Sequence, residues 1–83
     1  MYKRASQMIY NEETERYELN GDGLHCGETL EVLVWFAEKN MAKWVPTRME
    51  YAPQEMNDDG SWNGGWYLVG LSGLRPAGLF ARR

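Results

Sequence analysis

Clusters of glycine and short polar residues cut the chain at five places: Asn11-Glu12-Glu13-Thr14, Asn20-Gly21-Asp22-Gly23, Asp58-Asp59-Gly60, Asn63-Gly64-Gly65 and Gly70-Leu71-Ser72-Gly73. Such residues favour tight turns, because glycine and asparagine accept positive φ angles and short polar side chains bond to nearby backbone. Most of the segments between them alternate apolar with polar residues, which is the period of a half-buried strand. Met8 and Tyr10 alternate before the first turn and Tyr17 and Leu19 after it, so a hairpin with one apolar face is expected. Trp66-Tyr67-Leu68-Val69 reads as a strand, and Gly78-Leu79-Phe80-Ala81-Arg82 as a short closing one.

Lys43 to Tyr51 also alternates, with Val45, Thr47, Met49 and Tyr51 expected inward and Trp44, Pro46, Arg48 and Glu50 outward. Pro46 cannot donate to a ladder, so its nitrogen must face an edge, a bulge or solvent. Leu30 to Trp44 admits two readings. Leu30, Leu33, Val34, Ala37, Met41 and Trp44 fall at helical spacing, while Leu30, Val32, Val34 and Phe36 form one strand face. The β-branched and aromatic residues favour a strand over Leu30 to Phe36, with Ala37 to Asn40 as a turn or one helical turn. Five or six short strands predict an all-β fold, a small SH3-like barrel or a strongly curled antiparallel sheet, since closure removes exposed edges. The 83 residues are expected to form one domain, with residues 1–6 disordered.

A domain of this length has a thin core, and its four Trp, five Tyr and two Phe are expected to fill much of it. The net charge of −3 argues against a long polyanionic partner or an anionic membrane surface. All twelve acidic residues lie between Glu12 and Asp59, however, and the segment from Ser61 onward carries only Arg75, Arg82 and Arg83. One cysteine excludes an intrachain disulfide. No run approaches the ~18 apolar residues of a membrane span, and the N-terminal MYKRASQMIY lacks a signal-length apolar stretch. A cytoplasmic monomer is expected.

Chemistry-bearing motifs are scarce. His25 and Cys26 are the only residues of their kinds, and a structural zinc site needs four ligands. Adjacent residues of an extended backbone diverge, so the pair is read as the lead-in to a strand, one side chain packed and the other exposed. Gly21-x-Gly23 lacks the third glycine and the following helix of a dinucleotide fingerprint. Glu55-x-Asn57-x-Asp59-Gly60 resembles the start of a calcium loop, but Trp66 stands where the bidentate glutamate belongs. No catalytic residue, metal ligand or cofactor site is therefore assigned.

What remains is an aromatic and arginine set: Trp35, Trp44, Arg48, Trp62, Trp66 and Tyr67. Most of these are expected in the core. Trp44 and Arg48 on the outward strand face, and Trp62 in a glycine-flanked loop, are the candidate binding residues for a protein or peptide. A second reading places single-stranded nucleic acid on these residues beside Arg75, Arg82 and Arg83.

LHCGETLEVL (Leu24 to Leu33), KWVPTRME (Lys43 to Glu50), WYLVG (Trp66 to Gly70) and the closing Gly78 to Arg82 segment together resemble an uncharacterised family of short, Firmicutes-type bacterial proteins. The resemblance covers most of the chain from Tyr10 onward. It implies a single small β-barrel domain of unknown function and brings no activity with it. Trp35 to Met41 and Asn57 to Gly65 are longer than the turns usual at those places. Fold does not dictate function, so the expectation from sequence is a non-catalytic binding module.

Overall fold

The computed structural model describes residues 4–71 and 73–83, with the side chains of Trp62 and Asn63 outside that description. Among the described residues eight strands are formed: β1 (Ser6–Gln7), β2 (Ile9–Asn11), β3 (Arg16–Leu19), β4 (Asp22–Gly23), β5 (Thr29–Phe36), β6 (Met41–Met56), β7 (Trp62–Leu68) and β8 (Phe80–Arg82). They make an antiparallel five-stranded sheet, in the order β1-β8-β5-β6-β7, and a three-stranded sheet, β2-β3-β4. The fold is all-β, as the alternation predicts. The larger sheet is strongly curled, a half-barrel rather than a closed one. The strand count exceeds five or six because β1 and β4 are two-residue strands, set by pairing and not by any local pattern.

Each hairpin follows from its turn residues. Asn11 Oδ1 accepts the backbone N–H groups of Glu13 and Thr14 at 2.9 and 3.3 Å, closing the β2–β3 turn. Asn20 and Gly21, at φ 54 and 83, join β3 to β4 with the two positive φ angles of a two-residue hairpin. The helical alternative over Leu30 to Trp44 does not form. β5 and β6 instead pair from Thr29↔Arg48 to Phe36↔Met41, and only Ala37–Lys39 makes a 3-10 turn, ended by left-handed Asn40. The many β-branched and aromatic side chains fit a pleated surface better than a helical one.

The sixteen-residue β6 carries the curl by changing partners at its middle. Its first half pairs with β5 and its second half with β7. At the changeover Met49 N–H donates to the Glu28 carbonyl at 3.0 Å, while Val69 N–H donates to the Arg48 carbonyl at 3.1 Å. Arg48 thus turns its backbone away from β5, and so does Pro46, two residues earlier. The proline nitrogen therefore meets the open edge of β6. Further on, the register slips between Ala52 and Glu55, so that Pro53 and Gln54 oppose Gly64 in a bulge.

The core lies between the two sheets and consists of Met8, Leu19, Leu24, Leu30, Val32, Met49, Leu68 and Ala81. No aromatic side chain among the described residues belongs to it. Tyr17 and Trp66 pack against its margin, while Tyr10, Trp35, Phe36, Tyr51 and Phe80 are exposed. The expectation that rings fill the core is corrected here. Two small sheets enclose one thin layer of aliphatics, and rings that bury ~150–250 Å² each are left at its rim. Near the N-terminus, Ser6 pairs with Ala81. Residues 1–3 lie outside the described residues.

Candidate binding groove

The Leu24 to Glu28 stretch is a tight turn rather than a strand lead-in. Glu28 N–H donates to the His25 carbonyl at 3.1 Å, and Gly27 at φ 85 supplies the positive φ at the turn's third position. The expectation of one packed and one exposed side chain is therefore corrected: His25 and Cys26 are both exposed. The Glu28 carboxylate folds back on the turn. Its Oε1 accepts the His25 backbone N–H at 3.1 Å and lies 2.8 Å from His25 Nδ1, while Arg83 reaches Oε2 at 3.3 Å. The hydrogen bond from His25 is the main cause that holds the Glu28 carboxyl below its ordinary pKa, and Arg83 adds to it. Cys26 lies in no group of three or more potential metal ligands among the described residues.

Trp44 and Arg48 lie on the outer face of β6, away from the core. Trp44 is half-buried there, with the Arg82 guanidinium 4.1 Å from its ring centroid. Arg82 Nε also donates to Glu31 Oε1 at 3.0 Å, and Arg48 Nε to Glu50 Oε1 at 3.3 Å. Trp62 pairs with Met56 through its backbone, and its side chain lies outside the described residues. Of the three arginines of the C-terminal segment, Arg82 and Arg83 are thus matched by Glu31 and Glu28. Arg75 stands apart, in the wall of a groove.

That groove is an open concavity of about 950 Å³ between the β2–β3 hairpin, the His25–Glu28 turn and the β6–β7 pair. It arises where the inner faces of both sheets run past the aliphatic core. On β6 and β7 the core residues Met49 and Leu68 are cross-strand partners, and two residues further out stand Tyr51 and Trp66, also partners. On β3 the core residue Leu19 is followed two positions outward by Tyr17, whose partner on β2 is Tyr10. Each of these ring pairs meets edge to face, Tyr10–Tyr17 at 5.0 Å and Tyr51–Trp66 at 5.1 Å between centroids.

The two hairpins are tied together across the groove. Trp66 Nε1–H donates to the Glu15 carbonyl at 2.8 Å, and the Arg16 guanidinium sits 5.6 Å from the Trp66 ring centroid. Arg16 also donates to the Leu24 carbonyl at 3.3 Å, which anchors the side chain at the groove edge. Burial raises the Tyr17 phenol above its ordinary pKa and neighbouring Tyr10 adds to this, with Arg75 opposing. The phenol stays neutral at pH 7, able to donate and accept. The groove is therefore a surface for ring stacking, guanidinium pairing and phenolic hydrogen bonding.

Trp66, expected in the core, packs at its margin and lines the groove with Tyr10, Arg16, Tyr17 and Tyr51, which local patterning does not single out as a group. Their assembly depends on the pairing of β2 with β3 and β6 with β7, which no local spacing encodes. Among the described residues, Arg75 is the one candidate binding residue from the sequence that joins them. No curated protein and no solved structure matches the chain significantly. A family model described as a domain of unknown function, DUF5348, matches residues 6–82, and the chain belongs to that family.

Proposed function

We propose that this chain is a non-catalytic binding module of a bacterial cytoplasmic protein family, and that it holds a peptide or an extended protein segment in the aromatic groove. The observation that carries this reading is the placing of two edge-to-face ring pairs, Tyr10–Tyr17 and Tyr51–Trp66, from two different hairpins in the lining of one open concavity. Aromatic-lined grooves suit extended chains, because rings offer large rigid contact area and the chain's ends can leave freely. A volume of about 950 Å³ is at the upper end of small-molecule pockets, and the open shape favours a chain passing through.

The groove supports this better than the outer face bearing Trp44 and Arg48. There the Trp44 ring is covered on one side by Arg82, and Arg48 is paired with Glu50. A displayed random-peptide library panned on the purified protein tests the choice. Enriched peptides should bind the wild type and Trp44→Ala, and lose the doubly substituted Tyr10→Ala, Tyr51→Ala protein. Both tyrosines are exposed, so the double variant should fold. Peptides that bind the double variant at wild-type strength would refute the groove.

A further inference from the structure

We infer that the segment held in this groove is acidic, an inference that rests on the peptide-binding reading above. The groove is opposite in sign to the rest of the chain. Arg16 and Arg75 line it, and neither is ion-paired with a carboxylate among the described residues. Of the arginines outside it, Arg48, Arg82 and Arg83 each have a glutamate partner, while the exposed Arg4 near the N-terminus has none among the described residues. Against these two guanidinium groups the groove sets one carboxylate among the described residues, Glu15, on a chain whose net charge is −3.

Stacking against Trp66 and bonding to the Leu24 carbonyl hold Arg16 in place, so little side-chain entropy remains to be lost on pairing. A guanidinium fork matches a carboxylate with two parallel hydrogen bonds, which favours an acidic side chain or a chain-terminal carboxylate over a neutral group. The neighbourhood limits the length of the anion. A second depression adjoins the groove at Tyr10 and is bordered by Glu12, Glu13 and Glu18. A polyanion extending past the groove would meet these carboxylates, which favours a short acidic peptide over nucleic acid.

Fluorescence anisotropy with three labelled probes tests this: a Glu-Pro repeat peptide, a Lys-Pro repeat of equal length and an oligothymidylate. The Glu-Pro repeat should bind the wild type most tightly, with an affinity that falls as salt rises. Arg75→Gln should weaken it about tenfold, the scale of one charged hydrogen-bonded partner. Arg75 is exposed, so this variant should keep the wild-type circular dichroism spectrum. Glu15→Gln should tighten binding by about twofold to fivefold, as a modest partly screened repulsion is removed.

Equal or tighter binding of the Lys-Pro repeat, lost in the Tyr10→Ala, Tyr51→Ala variant, would overturn the charge inference and leave the groove standing. Binding of the Glu-Pro repeat undiminished by that double variant would overturn the groove itself. Tighter binding of oligothymidylate would replace the peptide with single-stranded nucleic acid. No binding of any probe would overturn the inference that charge drives recognition here.

Discussion

The Trp66 indole N–H donates to the Glu15 carbonyl at 2.8 Å and so joins two hairpins that lie 51 residues apart in sequence. This bond fixes one wall of the groove against the other, and Arg16 packs over the same ring. Trp66→Phe keeps an aromatic ring but removes the donor and leaves the carbonyl with water or nothing. The substitution should cost about 1 kcal/mol of stability and lower the melting temperature by roughly 4–8 °C for a domain of this size. Thermal unfolding followed by circular dichroism measures it. An unchanged midpoint would mean that the tie contributes nothing.

The β6–β7 bulge makes a sharper demand. Gly64 has φ 92, and a Cβ there would collide with the Pro53 carbonyl. Gly60 has φ 86 in the turn below, with open space around it. Gly60→Ala should therefore cost about 1 kcal/mol, the backbone penalty alone. Gly64→Ala should cost clearly more, because the bulge must also shift. Denaturant midpoints of the two variants decide this, and equal losses would contradict the bulge geometry.

Leu68 and Met49 face each other in the middle of the thin aliphatic layer, and both are fully buried. Leu68→Ala should cost about 2–5 kcal/mol, a large share of the ~5–15 kcal/mol that holds a typical domain together. A broad or absent unfolding transition in this variant is the expected result. By contrast, Trp35→Ala, at an exposed ring near the β5–β6 turn, should stay within about 0.5 kcal/mol.

The His25–Glu28 turn should respond to pH. The Glu28 carboxyl is held below its ordinary value by the hydrogen bond from His25 first, and by Arg83 as well. A carboxylate whose pKa is lower in the folded state stabilises the fold above the unfolded pKa. That stabilisation is lost as pH falls through the folded value. Wild-type stability should thus decline in acid below the ordinary glutamate range, and Glu28→Gln should decline less over that window. Parallel pH curves for the two proteins would show that the turn is not linked to folding.

Much of the architecture was legible in the sequence because turns carry local chemistry. Asn11, Asn20-Gly21 and Asp59-Gly60 specify their reversals through side-chain bonds and positive φ angles within a few residues. The alternation of Tyr17 with Leu19 and of Val45 with Met49 gives the inward face directly. Two things were not legible. Ser6–Gln7 and Asp22–Gly23 are strands only because distant or adjacent strands pair with them. The groove likewise depends on register, since Tyr10 faces Tyr17 and Tyr51 faces Trp66 only once the strands are aligned. The aromatic count suggested a ring-filled core, but a layer this thin leaves Trp66 and Tyr17 at its edge. The same geometry that weakens the core therefore builds the groove.

The central claim is that ligands enter at Trp66 and not at Trp44. Nitrogen–proton correlation spectra report it directly, because each indole N–H gives its own signal. On titration with the Glu-Pro repeat, the Trp66 indole and the backbone amides of Arg16 and Tyr51 should move together and saturably, while the Trp44 indole stays in place. Movement of the Trp44 indole with a stationary Trp66 signal would contradict the account.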